Sequence, residues 1–278
     1  MRVVSGRHGL ESVRAAMARL VVVWVVINSG AASAADSAAR HTVIGKLDVL
    51  EGIASKELPA PRRAFVLLPP GYDAEQRYPV LYALDGQDLF DAATAAGGEE
   101  LGLDDVLAAG PAGIPALLVV GVEASPHALR EYSPPGTMDG AVGDATVRLL
   151  VDVLKPLVDS KYSTQPGPAA TCVLGLGAGA LLAIYATWTR PDVFGGSIAV
   201  DLPDLDPRAL PPLAQRLAGV PRPRLWIAVA GGDVSERPSS THLLETLRGG
   251  AAVTYVVASP HTSRLTAVAA GLRACFAP

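Results

Sequence analysis

The chain has 278 residues, half of them hydrophobic and 18% charged, and this composition excludes an intrinsically disordered protein. Its formal net charge is −4 and no basic block interrupts the sequence, so we expect no nucleic-acid partner. Aromatic residues make up only 5% of the chain, whereas it contains 28 Gly and 23 Pro. The core must therefore be built from aliphatic side chains between frequent turns.

Residues 1–34 have the pattern of a secretory signal peptide. Four Arg precede the apolar run Leu20–Ile27, and Ala32-Ser33-Ala34 then gives the small-residue spacing that signal peptidases cleave. The apolar run is far shorter than the roughly 20 residues that a membrane-spanning helix needs. We therefore predict no stable membrane span, and we expect an exported protein, periplasmic or extracellular, whose residues 35–278 form a single domain.

The mature chain has two cysteines, Cys172 and Cys275, and both lie in apolar segments. Export would permit a disulfide between them, but two buried free thiols are equally compatible with the sequence. No group of Cys and His residues has the spacing of zinc ligands. We therefore predict neither a metal site nor a bound cofactor.

From Arg63 onward, apolar segments of strand length alternate with helical patterns. The predicted strands are Ala64–Leu68, Val80–Leu84, Leu117–Val122, Thr171–Leu174, Ser197–Val200, Leu225–Ala230 and Val253–Ser259. The predicted helices lie near Leu101–Ala109, Ala145–Val158, Ala178–Thr189, Thr241–Arg248 and Thr262–Cys275. Several strands are apolar throughout, which is typical of a parallel sheet covered by helices on both faces. The proline-rich segment 201–223 interrupts this alternation, and we interpret it as an irregular insertion or a lid.

Several short motifs follow this predicted architecture in a recognisable order. They are Pro69-Pro70-Gly71-Tyr72-Asp73, Arg77-Tyr78-Pro79-Val80-Leu81-Tyr82, Asp85-Gly86-Gln87, Arg130-Glu131-Tyr132, Lys155-Pro156-Leu157 with Tyr162, and Pro191-Asp192-Val193-Phe194. Together, over roughly residues 43–275, the sequence resembles the putative esterase family, which includes esterase D, enterochelin esterases and mycolyltransferases. The resemblance implies the α/β-hydrolase fold, an acyl hydrolase or transferase ancestry, and a Ser–His–acid triad.

Two members of such a triad have candidates in the order that this fold requires. Asp233 follows one predicted strand in the segment Gly231-Gly232-Asp233, and His261 follows the next strand. In that chemistry the His removes a proton from the nucleophile, and the acid holds the His in the correct tautomer. We therefore predict Asp233 and His261 as the acid and base of a remnant triad.

The nucleophile is missing from the place where the family carries it. The family pattern Gly-x-Ser-x-Gly is here Gly175-Leu176-Gly177-Ala178-Gly179, so the turn presents Gly177, which has no side-chain oxygen. Neither neighbour supplies a nucleophile. We therefore predict that ester hydrolysis through a triad is absent or very weak.

The resemblance also places an oxyanion hole in this site. The backbone N–H groups of Gln87 and Ala178 are its predicted donors, because such donors need no special side chain. A small ester or a carboxylate-like molecule is accordingly the ligand that we expect.

Two alternative interpretations remain open from the sequence. In the first, the space at Gly177 admits a water that His261 and Asp233 activate, and the protein is a working ester hydrolase. In the second, Gly175-x-Gly177-x-x-Ala180, with Asp201 after the next strand, is a dinucleotide-binding fingerprint. Export speaks against the second, because it separates the protein from the cellular pool of NAD.

Overall fold

The computed structural model describes residues 41–203, 224–229, 253–257 and 263–276. Eight strands in these residues form one sheet in the order β1-β2-β4-β3-β5-β6-β7-β8. The first two strands pair antiparallel, and β3 to β8 run parallel to one another. The strands are β1 Lys46–Ile53, β2 Arg62–Leu68, β3 Val80–Leu84, β4 Leu118–Val122, β5 Thr171–Leu176, β6 Gly196–Val200, β7 Arg224–Val229 and β8 Val253–Val257. The predicted α/β class with a mostly parallel sheet is confirmed.

Helices connect the parallel strands. In chain order the described ones are α1 Leu103–Ala108, α2 Ala128–Glu131, α3 Gly143–Arg148, α4 Lys155–Lys161, α5 Ala178–Thr189 and α6 Arg264–Cys275. A π-helical segment, Leu149–Leu154, joins α3 to α4, so the predicted helix near Ala145–Val158 is part of a longer helical stretch. The predicted helix at Thr241–Arg248, the predicted signal peptide and most of the segment 201–223 lie outside the described residues.

Strand β3 is buried on both sides, as its uninterrupted apolar sequence predicts. Tyr82 and Leu84 pack into the core on one face of the sheet, and Leu81 and Ala83 pack into the core on the other face. Side chains of successive residues in a strand point to opposite faces. A central parallel strand between two helical layers therefore needs apolar residues at every position.

Strand β1 was not predicted, because its sequence has no apolar run. It is an edge strand, and of its eight residues only Leu50 and Ile53 are buried. It pairs only with β2, and the register of that pairing shifts between the same two residues. An edge strand with a solvated face carries polar residues that make it resemble a loop in the sequence.

The parallel strands β3 to β8 define two edges of the sheet, which we call the carboxyl edge, where these strands end, and the amino edge, where they begin. Asp85, Gly177 and Asp201 follow β3, β5 and β6, and thus lie at the carboxyl edge on three adjacent strands. Near the amino edge, Cys172 in β5 and Cys275 at the end of α6 form a disulfide with a Cα–Cα distance of 6.5 Å. The sequence left open a bridge or two free thiols, and the structure has the bridge.

Among the described helices, none is both long enough and apolar enough to cross a lipid bilayer.

Candidate functional site

The chain turns sharply from β5 into α5 at Gly177. This residue has φ 54° and ψ −123°, a backbone conformation that residues with a side chain rarely adopt. Its N–H donates to the carbonyl of Val200 at 2.9 Å, and its own carbonyl accepts the N–H of Ala180 at 3.0 Å. A Cβ placed on Gly177 would have no atom of the described residues within 4 Å. The turn therefore has the sharp strand-to-helix geometry of a nucleophile elbow, with open space where the reacting side chain would stand.

The other two glycines of the turn are required by packing. A Cβ on Gly175 would lie only 2.0 Å from the carbonyl oxygen of Gly179, so the strand and the first turn of the helix approach through bare backbone. A Cβ on Gly179 would lie 3.3 Å from the side chain of Leu84 and 3.4 Å from a carboxyl oxygen of Asp85. The spacing that resembles a dinucleotide fingerprint is thus explained by the close packing of an elbow.

No hydroxyl or thiol from β5 replaces the missing serine. Cys172 is joined to Cys275, and the hydroxyl of Thr171 donates to the carbonyl of Gly167 at 2.9 Å. Thr171 begins β5 and Gly177 follows its end, which at 3.3 Å per residue separates them by roughly 20 Å. Neither group can act at the elbow.

The two predicted oxyanion donors belong to neighbouring turns of the carboxyl edge. Ala178 is the first residue of α5, and Gln87 lies in a 3₁₀ turn, Gly86–Asp88, directly after β3. The side chain of Gln87 is fixed at both ends, because its oxygen accepts the N–H of Ala124 at 2.9 Å and its amide donates to Asp88 at 3.0 Å. Since β3 pairs with β5, the structure brings both turns to the same part of the edge.

A carboxyl group that the sequence analysis did not assign to the site lies beside the elbow. Asp85 has a left-handed backbone with φ 58°, and its side chain accepts a hydrogen bond from the Tyr132 hydroxyl at 3.1 Å. Burial raises the pKa of Asp85 to about 6, against the opposing effect of that hydrogen bond. The motifs Asp85-Gly86-Gln87 and Arg130-Glu131-Tyr132 were both visible in the sequence. Only the fold shows that one contacts the other.

A buried ion pair holds Tyr132 in place. Glu131, the last residue of α2, accepts two hydrogen bonds from Arg62 at 2.8 Å each, and both side chains are about 95% buried. The carbonyl of Glu131 also accepts the hydroxyl of Thr146 at 2.7 Å. A doubly hydrogen-bonded pair of this kind fixes the short helix α2, and with it the phenol that contacts Asp85.

The predicted acid and base, Asp233 and His261, lie outside the described residues. Strands β7 and β8, which they follow in the sequence, run parallel to β6 and end at the carboxyl edge. Within the described ranges, no three His, Cys, Asp or Glu side chains come together as a metal site requires.

Comparison with solved structures supports this fold. The chain is similar to an IroE-like serine hydrolase from Shewanella oneidensis, with 21% identity over 82% of this chain and 79% of that one, and a TM-score of 0.65. It is also similar to the BES protein from Bacillus cereus, with 14% identity over 85% of this chain and 98% of that one, and a TM-score of 0.67. These TM-scores show a common fold.

A third similar structure is the enterobactin esterase FES from Shigella flexneri, with 14% identity and a TM-score of 0.61. The similarity covers 85% of this chain and 61% of that one. No curated protein matches the sequence. The family model described as Putative esterase matches residues 55–249. The chain therefore belongs to the Putative esterase family of α/β-hydrolases.

Proposed function

We propose that this chain is an exported, catalytically impaired member of its family, which binds a small ester or carboxylate-like molecule at the elbow without efficient hydrolysis. The observation that carries the proposal is Gly177, which keeps the elbow backbone but offers no oxygen.

The energetic cost of this one change decides between catalysis and binding. Removing the nucleophilic Ser of a triad lowers the rate by about 10⁶, or roughly 8 kcal/mol of activation free energy. Backbone donors and substrate binding account for what activity is left in such variants. Glycine at this φ also avoids a strain of about 1–3 kcal/mol that a side chain would introduce. The substitution therefore favours stability over turnover.

A binding site survives the loss of the serine because its donors belong to the backbone. Ala178 opens α5, a helix of 12 residues, whose free N–H groups and dipole favour an oxygen with partial or full negative charge. The adjacent turn at Gln87 is held rigid by its hydrogen bonds to Ala124 and Asp88. An ester carbonyl or a carboxylate would meet these donors without any contribution from residue 177.

Export is supported by two independent features. The first 34 residues have the composition of a secretory signal, and the domain contains a disulfide between Cys172 and Cys275. Structural disulfides persist mainly in oxidising compartments. Epitope-tagged full-length protein should therefore appear outside the cytoplasm as a shortened chain beginning near residue 35, and a full-length cytoplasmic product would contradict export.

The test of impaired catalysis is an ester assay on the mature chain, residues 35–278. With p-nitrophenyl acetate and p-nitrophenyl butyrate we expect turnover far below about 1 s⁻¹, the lower end of ordinary enzymes. A fluorophosphonate probe, which labels activated serines, should add no mass to the protein. Turnover above that rate, or a covalent adduct, would contradict the proposal.

A further inference from the structure

A cavity lies at the amino edge of the sheet, away from the elbow. Its volume is about 500 Å³, within the range of small-molecule sites. Most of its wall is apolar and comes from the end of β2, from α1 and from the segment before β4, with Leu67, Leu107 and Leu117 among the lining residues. Because β4 begins here and the elbow follows the end of β5, the length of a strand separates the two places, about 15 Å.

One buried carboxyl group lines this apolar cavity. Asp104 is only 1% exposed, and one of its oxygens accepts the backbone N–H of Ile44 at 2.6 Å. The other oxygen, Oδ1, is buried and has no hydrogen-bond partner among the described residues. Within the same residues, Asp104 forms no ion pair with a Lys, Arg or His. A buried carboxyl oxygen without a partner is costly, and it marks a position where a ligand can donate a hydrogen bond.

The charges around this carboxyl group favour a cation. Burial raises the pKa of Asp104 against the opposing effect of hydrogen bonds from backbone N–H groups, and the negative charges of Asp105 and Glu100 add to the rise. Lys46 also lines the cavity, but its side chain is exposed to solvent. A positive group inside the cavity would relieve both the burial of Asp104 and the repulsion from its acidic neighbours.

We propose that the amino-edge cavity is a binding site for a small organic amine. The apolar part of the ligand would pack against Leu67, Leu107 and Leu117, and its ammonium group would donate a hydrogen bond to Oδ1 of Asp104. This site is independent of the proposed function at the elbow, because it shares no residue with it.

The probe for this proposal is 2-phenylethylamine, with 2-phenylethanol as a neutral molecule of the same skeleton. Calorimetric titration of the mature chain should show saturable binding of the amine, and the alcohol should bind at least about tenfold more weakly because it lacks the charge. No saturable binding of the amine, or equal binding of the two, would overturn the proposal.

Three variants locate the binding. Asp104→Asn should weaken the amine at least about tenfold, whereas Asp105→Asn, which makes the same change of charge on an exposed neighbour, should alter its Kd by no more than about twofold. Equal losses of affinity in both variants would show that the amine responds only to the net charge of this region, and they would overturn the proposal.

Ala108→Trp keeps the carboxyl group and fills the cavity from an exposed lining position, so it tests the site even if Asp104→Asn does not fold. This variant should bind the amine at least about tenfold more weakly. Unchanged binding to folded Ala108→Trp would place the amine elsewhere on the protein and refute the assignment.

Discussion

The carboxyl edge and the amino edge of the sheet differ in how their polar groups are partnered. At the carboxyl edge the polar groups are partnered: Tyr132 donates to Asp85, Arg62 pairs with Glu131, and the Gln87 side chain is bonded at both ends. At the elbow of this edge, Gly177 has no side chain that could supply a reacting oxygen. At the amino edge, Oδ1 of Asp104 is buried, and none of the described residues is its hydrogen-bond partner.

This difference shows that the order of the carboxyl edge does not depend on a side chain at residue 177. Gly177 removes one side chain, and the hydrogen bonds that order the turns beside it do not involve that side chain. The backbone N–H groups at the elbow therefore stay in place without a nucleophilic side chain. The buried oxygen of Asp104 is the opposite case. The hydrogen-bond acceptor is present, and a ligand would supply the donor.

The largest expected effect comes from restoring the missing oxygen at the carboxyl edge. Since a Cβ at residue 177 meets nothing within 4 Å in the described part of the chain, Gly177→Ser should fold, at a cost of about 1–3 kcal/mol in backbone strain. If Asp233 and His261 complete the triad, hydrolysis of p-nitrophenyl butyrate should rise by about 10³–10⁶ over the parent chain. Steady-state kinetics measures the gain.

Gly177→Ala is the matched control for this experiment. It introduces the same strain without a hydroxyl group, so its stability should fall similarly while its hydrolysis stays at the parent level. A folded Gly177→Ser protein without activity would show that the carboxyl edge has lost more than its nucleophile.

The second effect is a loss of stability when the disulfide at the amino end of β5 is reduced. The bridge between Cys172 and Cys275 closes a span of 103 residues, and such a constraint stabilises a domain by about 2–5 kcal/mol. Dithiothreitol should therefore lower the midpoint of urea unfolding, and iodoacetamide should label no cysteine without the reductant. The double variant Cys172→Ala with Cys275→Ala should be insensitive to dithiothreitol. Free thiols in the untreated protein would contradict the bridge.

The smallest effect is a pH dependence at the carboxyl edge. Burial raises the pKa of Asp85 to about 6, above the usual value near 3.9 in an unfolded chain. The folded state thus disfavours the ionised form. Asp85 therefore leaves the free energy of unfolding unchanged below about pH 4 and lowers it progressively as the pH rises towards 6. The full cost, on the order of 2–3 kcal/mol, applies above that pH.

Asp85→Asn removes this cost and leaves an acceptor for the Tyr132 hydroxyl. Its free energy of unfolding should exceed that of the parent by about 2–3 kcal/mol more at pH 8 than at pH 4, measured by urea titration. Asp139→Asn, on an exposed loop residue, is the control and should show no such difference. A parent chain that gained stability between pH 4 and 6 relative to Asp85→Asn would contradict the assignment.

The fold class was accessible from the sequence because β3 and β4 are apolar at every position, as a sheet covered on both faces requires. Strand β1 was missed because only two of its eight residues are buried at the edge of the sheet, so its sequence has neither an apolar run nor a regular alternation. The π-helical turn Leu149–Leu154 was missed for another reason: an apolar period indicates a helix but not the local hydrogen-bonding pattern inside it.

At the site, the sequence predicted the elbow and its missing serine, but not Asp85. The carboxyl group of Asp85 differs from that of exposed aspartates only through its burial and through Tyr132, which is 47 residues away along the chain. Neither the burial nor the contact leaves a local pattern.

The amino-acid sequence by itself determined the sheet type, the family and the glycine at the elbow, since these depend on residue identity and local spacing. Only the tertiary structure decided that the two cysteines pair, that Tyr132 reaches Asp85, and that one oxygen of Asp104 is buried without a partner among the described residues. The physical reason is that burial and pairing are properties of distant segments brought together. A carboxyl group keeps its ordinary pKa in water, and burial in the folded chain changes it.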